Sequence, residues 1–191
     1  MTVDIHSNRV LACEGLACPM PVVKTKKAME EMQAGEVLEV RATDKGSVAD
    51  LQSWAGRTGH QYVGMKEDQG VYRHFIRKSN EKETKPEVKY PRVISSEQLL
   101  EKLVSGGNVQ VLDVREPAEY AFGRIPGAIS LPIGELERRL DQLNPNQEYY
   151  IVCRTGNRSD AACQTLTERG FANVYNVVPG MSGWQGSTER D

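Results

Sequence analysis

The chain has 191 residues, 39% apolar and 26% charged, with a formal net charge of −2. These are ordinary soluble-protein proportions, and without a basic excess neither nucleic acid nor an anionic membrane is expected as a partner. The N-terminus, MTVDIHSNRV, lacks a positive stretch followed by an apolar one, and no apolar run approaches the roughly 20 residues that span a bilayer, so a cytoplasmic location is expected.

Four cysteines, Cys13, Cys18, Cys153 and Cys163, are few for a disulfide scaffold. Their spacings match no C-x-x-C metal or redox pattern. The histidines, His6, His60 and His74, form no pair with metal-ligand spacing and read as solvated or hydrogen-bonded. No metal or organic cofactor is expected.

In chain order, residues 10–13 form a short apolar run. From Pro19 to about Ala34 the pattern is helical, with Val22, Met29 and Met32 near one face and Lys24, Lys26, Glu30 and Glu31 largely elsewhere. Gly35 reads as the stop. EVLEVRA (36–42) alternates as a strand, with Leu38, Val40 and Ala42 on one side. Residues 47–57 read as a second helix that buries Val48, Leu51 and Trp54. Strand-like runs at 61–65 and 71–77 flank the turn-prone KEDQG. The order βαβαββ predicts an α/β two-layer sandwich with both helices on one face of the sheet.

Residues 78–89, KSNEKETKPEVK, carry seven charges, one valine and one proline. Such a stretch adds little to a core and reads as a connector. It divides the chain into domains at 1–78 and 90–191, with 79–89 as the linker. In the second part, Ser95-Ser96-Glu97-Gln98 resembles a capping box opening a helix through Leu103. Strands are expected at 109–114, 128–131, 149–152 and 174–178, with helices at 117–122, 134–140 and 158–169. The repeated βα order predicts a parallel sheet with helices on both faces and functional loops at the C-terminal ends of its strands.

Two stretches carry chemistry. In GLACPMP, Cys18 precedes prolines suited to a first helical turn, and a helix N-terminus favours a thiolate. Lys24, Lys26 and Lys27 add positive charge. On these residues alone, an activated thiol and a packed cysteine that merely starts a helix both stay open. In CRTGNRS (153–159), Cys153 ends a strand and the following loop opens a helix. Successive N–H groups there can surround an anion, and Arg154 and Arg158 reinforce the field. Cysteine phosphatases use a wider C-x5-R loop for phosphate. The C-x4-R spacing here is tighter and better suited to a single sulfur.

Residues from about 90 to 186 resemble a single-domain rhodanese, through VLDVREPAEY (111–120), GRIPGAISLP (123–132), YYIVCRTGNRS (149–159) and NVYNVVPGMSGW (173–184). The resemblance implies that Cys153 stores sulfane sulfur as a persulfide, and that Arg154, Thr155, Gly156, Asn157 and Arg158 supply the substrate-binding cradle. Arg124 replaces a frequent histidine, and Pro179 a usual glycine. Residues 8–78 resemble the TusA/SirA-type sulfur carriers, through GLACPMPVVKTKKAMEEMQAGEVLEV (15–40). This resemblance implies that Cys18 carries sulfur to a protein partner; Ala12 stands where many members have aspartate. Cys13 and Cys163 read as core thiols, and Asp113 with Arg115 as a structural ion pair.

The expectation is a sulfurtransferase in which Cys153 takes sulfur from a small donor, such as thiosulfate or a low-molecular-weight persulfide, and Cys18 passes it to a thiol or protein acceptor. The linker reaches at most roughly 40 Å when extended. A persulfide or redox sensor is the alternative, and a phosphatase or arsenate reductase a more distant one.

Overall fold

Alternation in β2 (Val37–Ala42) organises the N-terminal sheet: Leu38, Val40 and Ala42 enter one core, while Glu39 and Arg41 face the other side. The computed structural model describes residues 4–79 and 89–191; most of the expected linker, residues 80–88, lies outside the described residues. The chain divides into two units, Met1–Lys82 and Glu83–Asp191.

In the first unit, β1 (Arg9–Cys13) runs parallel to β2, and β4 (Val71–Arg77) lies antiparallel between β2 and β3 (Gln61–Asp68). The helices α1 (Met20–Glu31) and α2 (Gly46–Thr58) pack on one face through Ala28, Met29, Leu51, Trp54 and Ala55. The βαβαββ sandwich is as expected. Cys13 lies in this core, where burial raises its pKa.

Helix α1 ends earlier than its periodicity predicts. Met32 is already extended, and the Lys78 ammonium donates to the Met29 and Met32 carbonyls at 2.6 and 2.5 Å. A cation on these open carbonyls stabilises the stop. On the opposite face of the sheet, Glu39 is buried and accepts from Arg41 and Arg73 at 2.7 and 2.8 Å. Burial works to raise its pKa, but the two guanidiniums prevail and hold it low. The segment before β1 is tied to the same strands: Arg73 donates to Asp4, Ser7 to Glu39, and Asn8 exchanges two hydrogen bonds with Val37. Ile5 is buried.

The second unit is a five-stranded parallel sheet in the order β5 (Val93–Ser95), β9 (Val174–Val178), β8 (Tyr149–Val152), β6 (Gln110–Asp113), β7 (Ile129–Ser130). Tyr149 and Ile151 enter one apolar cluster, with α5 (Asn157–Glu168). Tyr150 and Val152 enter the other, with Leu99 of α3 (Ser96–Val104). Both faces are therefore covered. The capping box is formed: Ser95 Oγ accepts from Gln98 N, and Gln98 Oε1 accepts from Ser95 N.

The helix expected at 134–140 is instead a kinked 3-10 segment, Ile133–Gln142, broken at Arg139. Ile133, Leu136 and Leu140 are spaced three and four apart, the α-helical pattern on which the expectation rests, and the break at Arg139 falls just before Leu140. Strand β5 and the 3-10 turn Gly180–Gly183 were not anticipated. The short helix α4 (Pro117–Phe122) matches its expected range.

Candidate functional site

Strand β8 delivers Cys153 to the C-terminal edge of the parallel sheet, and Gly156, at φ 107°, turns the chain into α5. The Gly156 N–H donates to Cys153 Sγ at 3.1 Å, and Ser159 Oγ lies 3.3 Å from the same sulfur. Ser159 donates onward to Asn176 Oδ1 at 2.6 Å, and Asn176 Nδ2 returns to the Gly156 carbonyl at 3.2 Å. This ring fixes the loop from behind. Cys153 itself is only 1% exposed.

The cradle residues separate into two kinds. Arg154, Thr155, Asn157 and Arg158 line a small cavity of about 10 Å3. Arg158, however, does not simply present its charge to an incoming anion. Its two terminal nitrogens fork onto the Glu119 carboxylate at 2.7 and 2.9 Å, with Glu119 fully buried. Arg158 is thus held in place by α4. Nearby, Arg115 grips the Asp113 carboxylate and donates to the Gly123 carbonyl at 2.7 Å, a buried pair that orders the loop after β6.

The turn after β9 clamps the loop from the other side. Met181 N donates to the Cys153 carbonyl at 2.8 Å, and Ser182 N to that of Arg154 at 2.9 Å. Pro179 caps this turn. Arg124, the other departure, pairs with Asp191 and lies over the Tyr120 ring, so it secures the C-terminal segment. Cys163 is buried in the core, where its burial and the neighbouring Asp160 and Cys153 push its pKa up.

The second thiol stands in the open. Cys18 is exposed and precedes α1, whose first turn contains Pro21. Met20 and Val23 are 43% and 53% exposed beside it, and Lys24 and Lys27 lie along the same helix, also exposed. The loop before Cys18 is tied to the one after β2, since Gly15 N donates to Thr43 Oγ1 at 2.9 Å.

Of the two readings left open for Cys18, a packed cysteine does not hold, because the side chain is exposed. The pull of the helix N-terminus towards a thiolate is countered, because the thiol donates to Asp50 Oδ2 of α2 at 2.9 Å. That hydrogen bond, followed by partial desolvation and the charges of Asp50 and Asp44, raises the Cys18 pKa. A carboxylate in contact outweighs a distant partial charge.

Beneath α2 lies a buried polar chain. Tyr62 OH meets His74 Nδ1 at 2.8 Å, His74 Nε2 meets Ser47 Oγ at 3.3 Å, and Ser47 donates to the Asp44 carbonyl at 2.6 Å. Ser47 spends its only hydrogen on that carbonyl, so Nε2 carries the imidazole proton and Nδ1 accepts from Tyr62. Burial drives the His74 pKa down to about 4 and that of Tyr62 up to about 12. Among the described residues, no group of histidine, cysteine, aspartate or glutamate side chains is arranged to hold a metal, and no helix is long and apolar enough to cross a membrane.

A buried thiol in an N–H loop on a parallel sheet, joined in one chain to a unit with a solvent-facing thiol, defines a two-domain α/β protein built around cysteine chemistry. Comparison with known proteins sharpens that class. A family model described as "Sulfurtransferase TusA" matches residues 9–78, and one described as "Rhodanese-like domain" matches 96–187. "Putative sulfur carrier protein YrkF" of Bacillus subtilis is 49% identical over 180 residues, 94% of this chain and 97% of that protein. "Sulfur carrier protein TusA" of Allochromatium vinosum is 42% identical over 69 residues, 36% of this chain and 91% of its own length. A solved rhodanese-like domain protein from Staphylococcus aureus is 35% identical, with a TM-score of 0.50, over 52% of this chain and 98% of that one. The chain belongs to the sulfurtransferase and sulfur carrier family in which a TusA-type domain is joined to a rhodanese-like domain.

Sequence reasoning had missed Glu119, Ser159, Asn176 and Asp50 as site residues. Glu119, Ser159 and Asn176 stand in the quoted stretches DVREPAEY, CRTGNRS and NVYNVV, but only tertiary contact reveals their roles.

Proposed function

We propose that Cys153 takes sulfane sulfur from a small donor such as thiosulfate and passes it to Cys18, which delivers it to a thiol or protein acceptor. The Cys153 thiolate attacks the outer sulfur of thiosulfate; the donor S–S bond breaks, sulfite leaves, and Cys153–S–S⁻ remains. Transfer then forms the bond from Cys18 to the outer sulfur and releases Cys153, with no net oxidation. Arg154, Thr155, Gly156, Asn157 and Arg158 form the cradle.

The observation that carries this reading is the scale of the site. Cys153 is buried and already accepts the Gly156 N–H at 3.1 Å, and only four residues separate it from Arg158, a loop that suits one additional sulfur better than a tetrahedral phosphate. Exposed Met20 and Val23 on the helix that follows Cys18 suit a protein acceptor.

Covalent connection of the two units also supports a relay. Lys89 and Tyr90 both donate to Asp160, in the first turn of the helix that follows the Cys153 loop. Lys78 is held at the C-terminal end of α1, whose 12 residues span about 18 Å. Tethering the two thiols in one chain gives effective concentrations around millimolar.

Time-resolved mass spectrometry of the two cysteine peptides after thiosulfate treatment tests the order. One extra sulfur should appear first on Cys153 and later on Cys18. Cys153→Ser should leave Cys18 unlabelled by thiosulfate, while an external persulfide still loads it. Equal labelling of Cys18 without Cys153 would reject the relay.

A further inference from the structure

Cys18 and Asp50 lie 32 residues apart on different elements, yet their side chains meet at 2.9 Å on an exposed surface. Water is available there, so the thiol has no need of a carboxylate for solvation. The fold nevertheless builds the contact rigidly. Leu51, next to Asp50, is fully buried. Ser47, one turn earlier in α2, is locked between His74 and the Asp44 carbonyl. On the other side, the Gly15–Thr43 hydrogen bond fixes the loop that carries Cys18. The charged groups facing Cys18 are Asp50, from α2, and Asp44, from the turn before it, and both are acidic.

Building on the carrier reading of Cys18, we propose that Asp50 is a positioning residue that distinguishes the empty carrier from the loaded one. Its carboxylate accepts the hydrogen of the empty thiol and holds it in place. It has no hydrogen to give to the persulfide anion that replaces that thiol.

In loading, Cys18–SH and a donor R–S–S⁻ give Cys18–S–S⁻ and R–SH. The bond from Sγ to the outer sulfur forms as the donor's S–S bond breaks, and the Cys18 proton passes by way of Asp50 to the departing donor sulfur. The sulfane sulfur keeps its oxidation state. Once loaded, the anionic terminal sulfur faces two carboxylates, loses its anchor and turns outward to an acceptor. The raised Cys18 pKa accords with the first half of this cycle, because a hydrogen bond to the protonated form and nearby negative charge both disfavour the thiolate.

The full chain is treated with iodoacetamide across pH 6 to 10, and alkylation of the Cys18 peptide is followed by mass spectrometry. In Asp50→Asn the rate profile should move to lower pH, giving faster alkylation at pH 7. Asp44→Asn, whose side chain only acts at a distance, should move it less. An unchanged or upward-moving profile in Asp50→Asn would overturn the proposal. Asp50→Ser provides a second neutral side chain if circular dichroism shows the first variant to be unfolded, and the same outcomes apply to it. Loaded with a low-molecular-weight persulfide, the neutral variant should surrender its sulfur to a thiol acceptor more slowly than the unaltered chain. Equal or faster release would overturn the ejection step. Failure of the unaltered Cys18 to take up sulfur would instead sink the carrier reading and leave the alkylation result standing.

Discussion

The Cβ that Gly180 lacks would sit 2.3 Å from the carbonyl oxygen of Cys153. Met181 and Ser182 can reach the Cys153 and Arg154 carbonyls only because the backbone approaches this closely. Gly180 also adopts φ 69°, where a side chain costs about 1–2 kcal/mol. Gly180→Ala should therefore push the loop away from the turn. We expect Cys153-dependent thiosulfate:cyanide turnover to fall by about 100-fold, the scale of a 1 Å misplacement. Steady-state kinetics and a thermal melt of the same sample separate this displacement from global unfolding.

Glu119 is the buried counter-ion of Arg158. Glu119→Gln leaves a guanidinium that is 9% exposed without its carboxylate, a change that costs about 3–5 kcal/mol in such pairs. The second unit should unfold at lower urea, with turnover reduced as Arg158 leaves the loop. Arg158→Lys should behave similarly, since an ammonium cannot reproduce the fork. A denaturation curve for each variant measures this directly.

The short loop from Cys153 to Arg158 predicts selectivity. The unaltered chain should hydrolyse no aryl phosphate in a Cys153-dependent manner. Inserting one glycine between Gly156 and Asn157 should weaken persulfide formation and admit larger oxyanions. Robust hydrolysis by the unaltered protein would favour a phosphatase.

His74 sets a pH limit for the first unit. Its folded pKa, about 4, lies below the ordinary 6.5. The unfolded chain therefore binds the proton first as pH falls, and stability present above pH 6.5 declines towards pH 4. The full loss is about 3 kcal/mol. Unfolding followed by Trp54 fluorescence in a Trp184→Phe background should show the decline beginning between pH 6.5 and 5. His74→Gln, which bonds without titrating, should flatten it.

What could be read from the sequence was local. The capping box at Ser95 and Gln98 needs only four adjacent residues, and β8, α4 and β9 are bounded by their own patterns. The relationships that shape the sites are not local. The state of Cys18 stayed open because the sequence displays the helix start but not the carboxylate brought to it by α2. The anchor of Arg158 was not legible, because Glu119 is 39 residues distant. The shortened α1 likewise depends on Lys78, which returns from beyond β4. Family resemblance pointed to the two cysteines; it did not point to the groups that hold them.

The segment before β1 has a practical consequence for anyone preparing the first unit alone. The TusA match begins at residue 9, but Asp4, Ile5, Ser7 and Asn8 belong to the fold. A fragment cut at that boundary would bare sheet surface near Glu39 and Arg73 and free the flank of β2 that Asn8 occupies. Such a surface invites self-association. Its aggregation would then be misread as an intrinsic property of the carrier, when its origin is the position of the cut.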